Sequence, residues 1–573
     1  VIDYRIAPAD PAAHLFRVEL TVPRPAPGLV VSLPVWIPGS YLVREFARHL
    51  SGLTARQGGR AVAVEPLDKA SWRIDCRGSA AVTLAYDVYA FDTSVRAAFL
   101  DTRRGFFNGT SLCLRVHGRE AEPHRLRLAE LPRGWQVATS LPGGARGTWQ
   151  AADYDDLVDH PVALGTFWRG RFTAGGVPHE FVVDGALPGF DGERLIADVK
   201  RLCETQIAFW HGRKAPPFER YLFMLNAVDD GYGGLEHRAS TALVASRRDL
   251  PRVGQPAASD GYITLLGLIS HEYFHAWNVK RLRPAEFARY DYTRENHTRL
   301  LWFFEGFTSY YDDLLLLRAG LIDVPRYLKL LAKSVNGVLG APGRKLHSVA
   351  QASFDAWIKY YRADENTPNA TISYYAKGAL VALAFDLTLR AAGRGSLDAA
   401  LRALWQRSGG GPVGEADIAR ALAEQAGRPL DAEFAAWVHG TDELPLQALL
   451  ARAGVQWTTE PATPAQRFGL RVSESALAGV QVKQVLRGGT AERAGVAAGD
   501  ELLAVDGWRV RRLDDVALLG DAAKARDWLV SRDQRVLTLH VRGSADEPGA
   551  VALMPADKPA RDALALRRAW LGG

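Results

Sequence analysis

Cysteine is scarce in this chain. Its 573 residues carry three, Cys76, Cys113 and Cys203, which lie far apart, are odd in number and form no Cys-x-x-Cys pair. That spacing speaks against a disulfide framework and against a cysteine zinc site. No stretch reaches the ~18 consecutive apolar residues of a transmembrane helix. Lysine is rare beside arginine, 12 against 58, and blocks of five or six like charges are missing. An excess of 70 basic over 64 acidic residues, +6 over the whole chain, is too thin a surplus to point to nucleic acid. There is no tandem repeat. The run Ser408-Gly409-Gly410-Gly411-Pro412 follows no strand and lacks a phosphate-loop lysine, so it reads as a linker. The first residue is Val1 rather than methionine, so the expectation is a trimmed or processed start with any signal peptide already gone. Cytoplasm and periplasm fit equally well.

What is present is the composition of a folded protein, 47% hydrophobic and 23% charged, long enough for three or four domains. The expected class is multidomain α+β. Residues 1–172 read as an antiparallel β domain, with alternation at Phe16, Val18, Leu20 and Val22 and again at Val82, Leu84, Tyr86 and Val88. Residues 173–455 read as a mainly helical domain. Its helical spacing starts after Asp191-Gly192, a strand is expected at 220–228, and long buried helices at 261–281, 299–319 and 373–390. Residues 456–548 return to short strands and glycine turns, and a tail at 549–573 carries a helix-like stretch, 560–570.

The sharpest pattern is His271-Glu272-Tyr273-Phe274-His275, set in the apolar segment 263–277. With 14 histidines in the chain, a chance His-Glu-x-x-His has a probability of roughly 2%. Positions i and i+4 share a helix face, so two imidazoles can converge on one metal ion with Glu272 beside them to accept a proton. Burying three ionisable groups with no partner ion is costly. Zinc needs a third protein ligand and one open position. Glu305, alone among Trp302-Phe303-Phe304 and Gly306-Phe307, is the candidate, and Glu295, in the polar stretch 291–296, is its rival. Asp312, two helical turns after Glu305, is placed to hold the second N–H of a ligand histidine, and Asp313 is an equal alternative. Arg281 and Arg283 neutralise site carboxylates, contact a substrate carboxylate, or satisfy the end of the helix.

With these motifs in hand, the sequence resembles the glycyl aminopeptidase family of gluzincin zinc metallopeptidases. The resemblance is carried by HEYFHAWNVKRLRP at 271–284, WFFEGFTSYY at 302–311, Gly233-Gly234-Leu235-Glu236-His237, Tyr375-Ala376-Lys377-Gly378, and WIPGSYLVREF at 36–46. It covers nearly the whole chain with the motifs in the expected order. The 29 residues between His275 and Glu305 are more than the broader gluzincin aminopeptidases use. The resemblance implies a thermolysin-like catalytic domain and one Zn2+ per chain on His271, His275 and Glu305. It implies Glu272 as general base and acid, Tyr375 (or its neighbour Tyr374) as donor to the oxyanion, and Glu236 as anchor of the substrate's free α-ammonium. Gly233 and Gly234 would let the substrate backbone approach closely. Preference for N-terminal glycine or alanine follows from the family alone.

Residues from about 460 to 545 resemble a bacterial PDZ domain through Arg467-Phe468-Gly469-Leu470 and GGTAERAGVAAGDELLAVDGWRV at 488–510. Such domains add a peptide as an extra strand and hold its terminal carboxylate, here at Phe468-Gly469-Leu470. The expected function is a zinc-dependent aminopeptidase acting on peptides with a free N-terminus, with a C-terminal peptide as a further partner at the PDZ groove. The alternatives are a zinc endopeptidase or oligopeptidase with PDZ-guided capture, and a non-catalytic peptide-binding scaffold.

Overall fold

The computed structural model describes residues 1–521 and 523–572. The chain divides into two compact units, one built from Val1–His297, Tyr311–Leu321 and Trp405–Gly414, the other from Thr298–Tyr310, Ile322–Leu404 and Glu415–Gly573.

The first unit opens with the β domain. The alternating residues Phe16, Val18, Leu20 and Val22 are all buried in its core, with Leu84 and Tyr86 opposite them. Seven strands form the main sheet, in the order Thr148–Ala151, His124–Leu128, Ile2–Asp10, Leu15–Val22, Val82–Tyr89, Leu50–Gln57 and Arg60–Val62. One pair departs from the antiparallel expectation: Ile2–Asp10 and His124–Leu128 run parallel, Ile2 opposite His124. Alternation reports which side chains face a core and carries no information about strand direction.

A second, five-stranded sheet follows, in the order Trp168–Ala174, Val177–Asp184, Tyr221–Val228, Ser240–Ser246 and Tyr232–Glu236. Its first strand runs across the expected boundary at 172/173. Val177–Asp184 and Tyr221–Val228 pair in parallel, and the helix Gly192–His211 makes the crossover that parallel strands require. Asp191 caps that helix by accepting the N–H of Arg194. The chain then turns back on itself, so that Tyr232–Glu236 lies antiparallel to Ser240–Ser246 at the sheet's edge. By strand periodicity Tyr232, Gly234 and Glu236 share one face, while Leu235, on the other, joins the β-domain core.

The helix expected over 261–281 stops early. It spans Asp260–Phe274, capped by Ser259, and the chain leaves it in tight turns in which the Asn278 carbonyl comes round to His275 Nδ1. The helix expected over 299–319 is likewise two, Leu301–Phe304 and Gly306–Arg318, meeting at Glu305.

In the second unit, the helix Ala376–Ala391 is buried over most of its length. Asp386, fully buried on it, is satisfied by Arg390 Nε (2.8 Å), Tyr310 Oη (2.6 Å) and the Leu397 N–H (2.8 Å). The PDZ-like domain packs Phe468, Val480, Leu502, Trp528 and Val530 into its own core. Its strand Leu470–Ser475 stands at the sheet edge. This domain is docked within the unit: Asn369 donates to the Val485 carbonyl and accepts from the Arg487 N–H, and Arg471 donates to the Gly340 carbonyl. The tail helix Arg561–Gly572 inserts Trp570, whose indole N–H donates to Tyr310 Oη at 2.9 Å. Among the described residues no helix is long and apolar enough to cross a membrane.

Candidate active site

One turn of the Asp260–Phe274 helix brings His271 and His275 together, with Nε2 atoms 3.1 Å apart. The other nitrogen of each ring faces an oxygen. His271 Nδ1 lies 3.1 Å from Asp312 Oδ2, and His275 Nδ1 lies 2.6 Å from the Asn278 carbonyl. A carbonyl and a carboxylate accept only, so both Nδ1 positions carry the proton in the neutral rings. Both Nε2 atoms then face each other at 3.1 Å, the atoms through which two imidazoles can bind one metal ion. Burial pushes the Asp312 carboxyl up, and the neighbouring His271 draws it back. Ser270, the residue before His271, donates to the Asp312 carbonyl and accepts from Gln206, which ties the metal helix to its support. His271, His275 and Glu305 are the one group of three acidic, histidine or cysteine side chains, among the described residues, that could hold a metal ion. Their ligand atoms all lie within 4.8 Å of one another. The rival Glu295 is exposed in a loop, whereas Glu305 is buried. Asp313 lies beside Gly267, so Asp312 is the residue at the imidazole.

The edge strand passes directly over Glu272. A methyl built on Gly234 would collide with the Glu272 carboxylate, so only glycine admits the strand at this depth. Glu236, two positions on, is 4% exposed. Its carboxylate lies against Gly39, where an added methyl would sit 2.5 Å from Oε1. Gly39 also has φ +91°, which favours glycine on backbone grounds alone. The loop carrying it is held by the long segment after the metal helix. Trp36 Nε1 donates to the Asp291 carbonyl (2.8 Å) and the Val35 N–H to that of Tyr292 (2.9 Å). The extra length between His275 and Glu305 thus serves as a strap on the β domain.

Beneath the strand, Asp159 meets Lys280 Nζ (2.6 Å), His237 Nδ1 (3.2 Å) and the Arg238 N–H (3.0 Å). Burial pushes this carboxyl up, but Lys280 and His237 outweigh it and hold it well below the usual carboxylate range. A depressed carboxyl stabilises the fold above its unfolded pKa of about 4, and that contribution fades as pH falls through the folded value. Lys280→Met leaves the charge buried and uncompensated, and is expected to cost about 3 kcal/mol at pH 7. Urea unfolding checks this, with the deficit narrowing below about pH 4.

In the second unit Tyr374 is fully buried, whereas Tyr375 is partly open and sits at the start of the Ala376–Ala391 helix. Burial, with the Glu305 carboxylate near it, raises the Tyr375 phenol well above its usual range. Tyr360 stacks on it with ring centroids 5.2 Å apart. The glycines of the two motifs meet: a methyl on Gly306 would lie 2.5 Å from Gly378 Cα, so the Glu305 and Tyr375 helix ends approach with no side chain between them.

Residues 3–166 match the Peptidase M61 N-terminal domain, 264–381 match M61 glycyl aminopeptidase, and 481–529 match a PDZ domain. A crystal structure of an aminopeptidase N family protein from Idiomarina loihiensis is similar to the chain at 35% identity, over 100% of both chains, with a TM-score of 0.94. The chain belongs to the M61 glycyl aminopeptidase family. It is a metallopeptidase of the aminopeptidase type with a PDZ domain. More distant are an M1 zinc metallopeptidase from Deinococcus radiodurans and Legionella pneumophila aminopeptidase A. The first is 16% identical, over 78% of this chain and 94% of that one, with a TM-score of 0.46. The second is 13% identical, over 99% and 60%, with a TM-score of 0.49. Among curated proteins no match was found.

In this M61 chain the structure brings His271, His275 and Glu305 together, sets Asp312 on His271, and lays Gly234 against Glu272. Arg281 does not face carboxylates; it caps the carbonyls of Ala276, Arg238 and Pro217, and burial brings it down to about 10. Arg283 donates to the Phe287 carbonyl. Sequence reasoning gave no role to Asn278, Tyr360 or Gly39. Asn278 lies within the 271–284 motif and Gly39 within the WIPGSY segment, both quoted without a part for these residues.

Proposed function

We propose that this chain is a zinc aminopeptidase that removes N-terminal residues, with glycine and alanine favoured, from peptides with a free amine. The observation that supports it most is the pair of Nε2 lone pairs facing one another with both Nδ1 protons taken. Two imidazoles and one carboxylate are the donor set of a catalytic zinc that keeps a position open. His271, His275 and Glu305 would hold it, with Asp312 and the Asn278 carbonyl fixing the two tautomers. The chemistry such an ion supplies is Lewis acidity toward the scissile carbonyl and toward water.

The chain's own groups do the rest. Glu272 takes the proton from the attacking water on its carboxylate and passes it to the leaving amine. Tyr375, the more open of the two tyrosines, donates its O–H to the developing oxyanion. Glu236 pairs with the substrate's α-ammonium, an ion pair worth most where water is excluded. The Gly39 backbone against it closes the space in which a chain preceding that amine would lie. Gly233 and Gly234 let the substrate backbone lie against the edge strand. At the PDZ-like domain, the edge strand Leu470–Ser475 is the place for an added C-terminal peptide.

Blocked substrates test the reading. Glycyl and alanyl p-nitroanilides are expected to turn over with the zinc-loaded enzyme, and their N-acetyl forms to lose at least about 100-fold in kcat/KM, the worth of a desolvated charge pair. Equal turnover of both forms would favour the endopeptidase reading. No turnover of either, or of longer peptides, would favour the scaffold.

A further inference from the structure

Two side chains at the edge strand are left unused by the proposed chemistry. Arg96, from the β domain, places Nη2 3.3 Å from the Gly234 carbonyl oxygen. Its Nη1 lies 3.6 Å from where a Gly233 methyl would stand. Its Nε is buried with no hydrogen-bond partner, and among the described residues no carboxylate lies within ion-pair distance of the guanidinium. A half-buried cation without a counter-ion, next to the glycine that covers Glu272, is costly unless an anion arrives. The second residue is Tyr232, on the face shared with Gly234 and Glu236. It is 63% exposed, yet burial together with Asp312 and Glu272 holds its phenol well above the usual range.

Register supplies the anion. Extended chain advances about 3.3 Å per residue, so a dipeptide whose amine sits at Glu236 ends about two strand positions away. Two positions from Glu236 is Gly234, where the Arg96 guanidinium lies. We propose that Arg96 is the receptor for the terminal carboxylate of a dipeptide substrate, with the Tyr232 ring beside its second side chain, so that the enzyme acts preferentially on dipeptides. This rests on the reading of Glu236 as the amine anchor. A molecule gripped at both ends, ammonium at Glu236 and carboxylate at Arg96, is selected by length.

The test compares Gly-Leu with Gly-Leu amide, using the zinc-loaded native enzyme, Arg96→Met and Arg96→Lys. The native enzyme is expected to favour the free acid by about tenfold or more in kcat/KM, as a charged hydrogen-bonded pair allows. Arg96→Met loses that preference through KM, the acid's kcat/KM falling toward that of the amide. Arg96→Lys restores part of it. The proposal is overturned if the native enzyme handles the amide as well as the acid, if Arg96→Met keeps the preference, or if Arg96→Met slows both substrates alike. N-acetyl-Gly-Leu separates the two readings. Its rapid hydrolysis would sink the anchor at Glu236, whereas an acid–amide ratio of one with the acetylated form inert would sink Arg96 alone.

Discussion

Glu272→Gln is expected to lower kcat by about 1,000-fold while leaving bound zinc at one per chain. The replacement keeps the shape that Gly234 covers and removes only the ability to take a proton, and general acid–base catalysis contributes about 100- to 10,000-fold. Because Glu272 is proposed to act twice, on the water and then on the leaving amine, the loss falls well above the lower end of that range. KM for a glycyl substrate should change little, since the amine anchor and the imidazoles are untouched. Steady-state kinetics with metal analysis on the same preparation checks both halves. A variant with full zinc and native kcat would remove Glu272 from the mechanism. A variant that lost its zinc would show instead that the carboxylate belongs to the ion's surroundings.

Removing the metal is expected to have the larger effect. Chelation followed by dialysis should bring hydrolysis to background, a loss of more than about 1,000-fold, because the polarising charge and the activated water disappear together. Activity should return on adding zinc. The same cycle has a physical readout. Zinc would bind through the two Nε2 atoms, which lie 3.1 Å apart, and so would stabilise the folded chain over the unfolded one. Zinc at about 1,000 times its Kd should stabilise the fold by about 4 kcal/mol, seen as a rise in Tm. In His275→Ala both the activity and the Tm response should be lost. A native protein whose activity survives exhaustive chelation would contradict the mechanism.

How much of this was legible in the sequence depended on whether the pattern was local. His271 and His275 were readable because four residues in a helix fix their relation. The alternation of Phe16, Val18, Leu20 and Val22 was readable for the same reason at a period of two. The short edge strand Tyr232–Glu236 was seen as a motif, and its place at the end of a sheet was not, because strand order is set by distant partners such as Ser240–Ser246. The ends of the long helices were misjudged where function intervened. Past His275 the apolar Ala276, Trp277 and Val279 suggest more helix, yet the chain turns and the Asn278 carbonyl meets His275 Nδ1. Near Glu305 the helix is interrupted at the proposed ligand itself. Arg96 had no signal at all, being one arginine among 58. Its meaning comes only from the carbonyl of Gly234, 138 positions away.

Gly39 bears on how such an enzyme could be rebuilt or could diverge. The residue proposed to read the amine, Glu236, stands on the five-stranded sheet, and the backbone against its carboxylate is contributed by a loop nearly two hundred positions earlier. Transplanting the Gly233–His237 segment onto another hydrolase would therefore carry the charge without the fence. An engineer seeking strict end-cutting would have to move residues 36–41 as well, and one seeking internal cleavage would begin by trimming that loop.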